Sequence, residues 1–374
     1  MSSPATLVSD LAQEVGADCD PGIGSSRRST PFPALRREIL KNAIALLSVL
    51  VVFLSGGLFA QTPGSGSPAR EPQPGKPIII PTLYEEHRFV ATPVTEGGAA
   101  LKLFTDSAGG LFIFDDSAER LKLPITKFPP SGRDGEPSGA ASLPAFKPDA
   151  LIPPPLGSDS GRLFLSVRKG DDAVHLEYDG MLGQQWFAGR VWTFDYPGRR
   201  LLWRAPGDLP KHDIKNEVKL GFKTSGSGRR LANFARIPAE IDGETIDFLF
   251  DTGATNILPE EVLKQIGDGR PANRATSFLT RSTFEKWRSK HPEWRSFDNI
   301  RTLSGKAMIE VPRVTVGGFT VGPVWFTVQS DSAFHTYMAQ WMDKQTEGAL
   351  GGSLLHYLRV SVDWPNAVAV FEKP

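Results

Sequence analysis

Two aspartates end apolar runs at matching places in the chain. FLFDTGATNILP, residues 248 to 259, places Asp251 after three apolar side chains and follows it with Thr252, Gly253 and Ala254. KLFTDSAGG, residues 102 to 110, places Asp106 after Thr105 and follows it with Ser107 and Ala108. A carboxyl at the end of an apolar strand is poorly hydrated, so its charged form is disfavoured and its pKa rises. Two such groups brought together cannot both ionise freely; they share one proton and titrate as a unit. One then serves as base and the other as acid toward a water aimed at a carbonyl.

The elements that must position these aspartates are repeated. TPVTEGGAALKLFTDSAG (92 to 109) lies over RIPAEIDGETIDFLFDTGA (236 to 254) at a constant offset of 145 residues, with Pro93 on Pro238, Gly98 on Gly243 and Asp106 on Asp251. Both segments predict a β-hairpin that turns at Gly98 or Gly243 and delivers an aspartate at the end of its second strand. DGMLGQQWFAGRVWTFDYPGRRLLW (179 to 203) lies over EGALGGSLLHYLRVSVDWPNAVAVF (347 to 371) at an offset of 168, with Gly180 on Gly348, Gly183 on Gly351, Asp195 on Asp363 and Pro197 on Pro365. The second copy therefore carries 23 additional residues between its aspartate and its Gly-Ala-Leu-Gly turn. The charged and aromatic mixture of residues 282 to 297 predicts a short surface helix there as the insertion.

Two similar halves follow, 78 to 204 and 231 to 374, joined by a linker over 205 to 230. Pseudo-two-fold symmetry would bring one copy of each motif to a shared interface. The alternative is a tandem of independent β-domains whose aspartates never meet, each with few strands and little core of its own. Asp195 and Asp363, each before an aromatic-Pro pair, read as turn residues without a catalytic role.

FLFDTGATNILP resembles the active-site segment of aspartic proteases of the retropepsin and pepsin type, in which two apolar strands ending in Asp-Thr/Ser-Gly face each other. Each is backed by an apolar-Gly segment of its own lobe, and this chain has both elements twice, from Phe89 to Phe371. The resemblance implies an all-β fold of two pseudo-two-fold-related lobes with short helices. It also implies an endopeptidase activity with Asp251 and Asp106 as the catalytic pair. Thr252, Gly253 and Ala254 and, opposite, Ser107 and Ala108 would form the supporting loops, the hydroxyls of Thr252 and Ser107 bonding across the interface. Gly180, Gly183, Gly348 and Gly351 would let the backing strands approach closely.

A hairpin flap is expected between each aspartate and its Gly motif. The first half departs from the pattern at Ala108, which stands where the family has glycine; Gly109 and Gly110 would compensate by moving the turn one residue along. Asp116 is a rival to Asp106. At the 145 offset, however, Asp115 and Asp116 fall on Glu260 and Glu261, as acids at the start of a short helix. Two other readings keep the fold: a peptide-binding protein that has lost the dyad, and a protease whose second half pairs with that of another chain.

Composition bounds the partners. Lys and Arg (42) balance Asp and Glu (42), which argues against a nucleic-acid binder relying on phosphate neutralisation. The single Cys19 excludes an intrachain disulfide framework. Six histidines (His87, His175, His212, His291, His335 and His356) are scattered without metal-ligand spacing, so no metal or cofactor is expected. Of the tryptophans, Trp186, Trp192, Trp203, Trp325 and Trp364 are expected in the core, and Trp287, Trp294 and Trp341 are expected to cover it, the alternative being that they line a substrate groove.

Residues 1 to 60 read as a polar region with Arg36, Arg37 and Lys41 ahead of the apolar run 43 to 54, an export pattern with a cut after Ala60. Left uncut, the segment would anchor the protein in a membrane with the rest of the chain outside the cytoplasm. Residues 61 to 77 read as a flexible Pro, Gly and Ser linker. The expected partner is a peptide or protein substrate, bound by a monomer whose two halves form an internal pseudo-dimer.

Overall fold

The computed structural model describes residues 71–129, 138–155, 161–167, 177–298, 300 and 307–374. The export segment and most of the linker after it lie outside the described residues. Among the described residues no helix is long and apolar enough to cross a membrane.

Short strands dominate, as the Gly- and Pro-punctuated runs of Val, Ile, Phe and Trp require. An eight-stranded sheet is built from the first half, a nine-stranded sheet from the second, and both contribute to a six-stranded sheet. In that shared sheet Val191–Asp195 pairs antiparallel with Arg359–Asp363, and Thr193 stands opposite Ser361. Their hydroxyls are 2.6 Å apart and 168 residues separate them, which is the repeat offset. A residue therefore faces its own counterpart, and the local two-fold axis passes between them. The all-β expectation, with two related halves and short helices, is borne out.

Each large sheet contains the same four-strand order around its aspartate. In the first half Leu103–Thr105 runs parallel to Gly180–Leu182, which is antiparallel to Phe112–Phe114, itself parallel to Arg162–Ser166. In the second, Glu244–Phe250 runs parallel to Gly348–Leu350, antiparallel in turn to Ser277–Thr280, which is parallel to Val324–Gln329. The glycines that open the backing strands are needed for closeness. A Cβ on Gly180 would lie 2.3 Å from the Phe112 carbonyl oxygen, and one on Gly348 would lie 2.0 Å from that of Phe278.

This order relocates the second half's extra residues. The first half passes from Asp106 almost directly into Phe112–Phe114, whereas the second half inserts a two-stranded ribbon, Thr255–Ile257 with Asn273–Ala275, around the helix Glu260–Ile266 before it reaches Ser277–Thr280. Residues 282 to 297 do contribute a helix, Arg281–Lys290, but it follows the same sheet strand as the first half's helix Asp115–Arg120 and is not the insertion. Two offsets measured at the ends of a region fix how much was added. Only the sheet neighbours fix where.

The main core runs through both halves and holds Trp186, Trp192, Trp203, Trp364, Phe187, Phe194, Phe248 and Phe250. The Phe187 and Trp364 rings stack with centroids 5.4 Å apart, joining residues of the two copies. Complete burial of each such ring contributes roughly 2–3 kcal/mol. Trp287 is buried, while Trp294 and Trp341 are partly buried against apolar clusters. Trp325 departs from expectation: it is half-buried, stacked on Phe297 at 5.7 Å with the Arg295 guanidinium over its ring. Its strand position alternates outward, so it covers a satellite cluster instead of filling the core.

Asp195 and Asp363 are turn residues. Asp195 accepts from the Gly198 amide at 3.0 Å and is paired with Arg200 and Arg359; Asp363 accepts from the Asn366 amide at 2.9 Å. Burial pushes the Asp195 carboxyl up, but its arginine bonds hold it below the usual range. Hairpins Ile125–Lys127 with Gly139–Ser142 and Ser296–Asp298 with Ala307–Val311 occupy corresponding edges of the two large sheets, and their tips lie outside the described residues.

Candidate active site

Both aspartates are delivered in the same way. The Asp106 amide donates to the Leu182 carbonyl at 3.1 Å and the Asp251 amide to the Leu350 carbonyl at 3.0 Å, so each loop is tied to the last residue of its backing strand. The two loops then lock together. Ser107 N–H donates to Thr252 Oγ1 and Thr252 N–H to Ser107 Oγ, both at 3.0 Å, and Ser107 Oγ donates to the Phe250 carbonyl at 2.8 Å. All of these groups are buried, so each bond replaces one to water and its loss would leave an unpaired polar atom.

The lock sets the two carboxyl groups within hydrogen-bonding reach of each other. Gly253 N–H donates to Asp251 Oδ1 at 3.0 Å, and Ala108 N–H donates to Asp106 Oδ1 at 2.8 Å. The Ala254 amide, next along the loop, also favours the anionic form of Asp251. Gly253 also lies against the opposite aspartate: a Cβ there would fall 2.3 Å from Asp106 Cγ.

Asp251 is 7% and Asp106 1% exposed. Burial pushes the Asp251 carboxyl well above the ordinary carboxylate range, and the neighbouring Asp106 raises it further, outweighing the Gly253 and Ala254 amides that favour the anion. A proton is thus retained by the pair at a pH where isolated carboxyls have lost theirs.

The departure at Ala108 is accommodated. Its amide makes the bond that Gly253 makes in the other copy. Its methyl group belongs to an apolar cluster with Ala232, Phe234, Leu249, Ala349, Phe334 and Met338. The next residue, Gly109, packs within its own half: a Cβ there would lie 2.3 Å from Met181 Sδ and 2.8 Å from Asp106 Cγ. Asp116 stands elsewhere, exposed in the first turn of Asp115–Arg120 with its carboxylate accepting from the Ser117 amide at 2.7 Å. Asp115 and Asp116 in this helix, and Glu260 and Glu261 in Glu260–Ile266, are helix-start acids.

Sequence reasoning passed over Arg88, Thr255 and Asn273, where the Arg88 guanidinium donates to the other two beside the Asp251 loop. The available signal was an arginine opening an otherwise apolar strand, Arg88–Ala91, all four residues of which are buried.

No protein-family model matches the chain, and no curated protein matches it. Among solved structures it is similar to one titled edgp, at 10% identity and a TM-score of 0.40, covering 82% of this chain and 96% of that one. It is similar to an aspartic proteinase from Irpex lacteus at 10% identity and a TM-score of 0.42, covering 79% and 97%. Basic 7S globulin from soybean matches at 10% identity and a TM-score of 0.35, covering 79% and 94%.

Proposed function

We propose that the protein is an aspartic-type endopeptidase in which Asp106 and Asp251 of one chain activate a water against a peptide carbonyl. The observation that carries this reading is the reciprocal bonding of Ser107 and Thr252, which joins the two aspartate loops within a single chain. The pair holds one proton between its members. Its charged member takes a proton from water, and its protonated member gives one to the carbonyl oxygen as the tetrahedral centre forms. The two then exchange roles as the leaving amine is protonated.

An extended peptide suits such a site, since backbone hydrogen bonds to strand edges and apolar pockets would hold it. That both loops belong to one chain supports a monomer over pairing between two chains. The N-terminal order of charge followed by apolarity supports export, with the catalytic part outside the cytoplasm.

The test is cleavage of a mixed peptide library by the full-length chain, alongside Asp251→Asn and Asp106→Asn, from acid to neutral pH. Cutting by wild type and its loss in both variants is the expected result. A wild type as inert as both variants would favour a peptide-binding protein with the same fold. Activity surviving in Asp106→Asn would remove the first half from the pair.

A further inference from the structure

Arg88 is 2% exposed, and its guanidinium bridges from the first half to the second. Nη1 donates to Thr255 Oγ1 at 3.1 Å and to Asn273 Oδ1 at 2.7 Å, Nη2 to the Asn273 carbonyl at 3.3 Å, and Nε to the Glu85 carbonyl at 3.2 Å. Thr255 and Asn273 belong to the facing strands of the ribbon that only the second half possesses. None of these acceptors is charged; Glu85 and Glu86 act on the guanidinium through space. A cation buried among neutral acceptors is a costly arrangement, tolerated when its donors are met.

The bonds continue toward the aspartates. Thr255 Oγ1, which accepts from Arg88, donates to the Gly253 carbonyl at 2.8 Å. Gly253 is the residue whose amide holds Asp251 Oδ1 and whose Cα lies against the Asp106 carboxyl. The turn that carries Arg88 is itself fastened to the same ribbon, because the Ala275 amide donates to the Glu86 carbonyl at 3.2 Å and Arg270 pairs with Glu86 at 2.9 Å. At the 145 offset Asn233 takes the place of Arg88.

We propose that Arg88 is a positioning residue: acting through Thr255, it fixes the Gly253 peptide and thereby the relative placement of the two carboxyl groups. The proposal rests on the reading of Asp106 and Asp251 as the catalytic pair. It assigns the first half a part in shaping the second half's loop.

The test uses the full-length chain with Arg88→Met, Arg88→Lys, Thr255→Val and the Arg88→Met/Thr255→Val double variant. Two readouts are taken: kcat and KM for peptide cleavage, and titration of the Asp251 carboxyl by NMR, which needs no turnover. Arg88→Met should lower kcat roughly tenfold to a hundredfold, the scale of a small misplacement of reacting groups. KM should stay within about twofold, since uniform binding is not touched. The Asp251 titration should move. Thr255→Val should do the same, the double variant should be no worse than either, and Arg88→Lys should recover part of the loss. A folded Arg88→Met protein with wild-type kcat and titration would overturn the proposal, as would a Thr255→Val protein unchanged in both. If Arg88→Met does not fold, Thr255→Val decides. If wild type cuts no peptide, the peptidase reading fails while the titration still decides the positioning.

Discussion

Ser107 and Thr252 each supply the acceptor for the other's backbone N–H, at 3.0 Å in both directions. Ser107→Ala removes the acceptor of the Thr252 amide and the donor to the Phe250 carbonyl in one change. Each buried group left unpaired costs about 1–3 kcal/mol. Urea unfolding should show a loss of that size for Thr252→Val and a larger one for Ser107→Ala, with Thr252→Ser close to wild type. The two losses should not add, because both act on one linked set of bonds.

Gly253→Ala should be far more damaging than Ala108→Gly, although each makes the two loops more alike. The new methyl at position 253 would fall on the Asp106 carboxyl, whereas that of Ala108 sits in an apolar cluster. Peptide cleavage should drop by about a hundredfold or more in Gly253→Ala. Ala108→Gly should keep activity and lose about 1 kcal/mol of stability from backbone freedom and lost packing.

Stability should fall as pH rises through the titration of the buried pair. Asp251 is raised in the folded protein, so the fold binds a proton that the unfolded chain has already released. Its contribution is complete below the ordinary carboxyl value of about 3.9 and is lost as pH climbs to the raised folded value. Asp251→Asn should flatten this limb in denaturant midpoints measured against pH. An unchanged slope would contradict the raised pKa.

A second limb runs the other way. His87 and His356 stack with ring centroids 4.2 Å apart, and burial, the facing histidine, and Arg270, Arg199 and Arg88 push His87 down to about 3. Burial likewise lowers His356. Tyr84, whose hydroxyl pairs with His87 Nδ1 at 3.0 Å, and Glu86 complete the surroundings. A depressed folded pKa gives stability that is complete above the unfolded value of about 6.5 and lost as pH falls toward 3. His356→Phe, which keeps a ring in the stack, should reduce the acid loss in thermal unfolding between pH 6.5 and 4.

The aspartates and their loops were legible in sequence because the residues that make them are local: an apolar strand, an aspartate, a hydroxyl and a small residue, each repeated at a constant offset. The backing strands were legible for a similar reason, since glycine is required where two backbones approach. The ribbon Thr255–Ala275 was not, because an insertion is defined by which strands become neighbours, and pairing is set far along the chain. Arg88 was hidden for the same cause: its partners lie 167 and 185 residues away. Trp325 shows that strand character does not by itself say which face is inward.

The hydroxyl pair at Thr193 and Ser361 bears on how such a chain can arise. Where a two-fold axis runs between equivalent positions, whatever residue stands there must be compatible with itself. A lysine would meet a lysine and a carboxylate a carboxylate. A hydroxyl escapes this restriction, because one copy can donate while the other accepts. Ser107 and Thr252 satisfy the same condition beside the aspartates. Both contacts would work equally well between two identical subunits, so the duplicated chain keeps at its axis a side-chain chemistry that needs no difference between its halves.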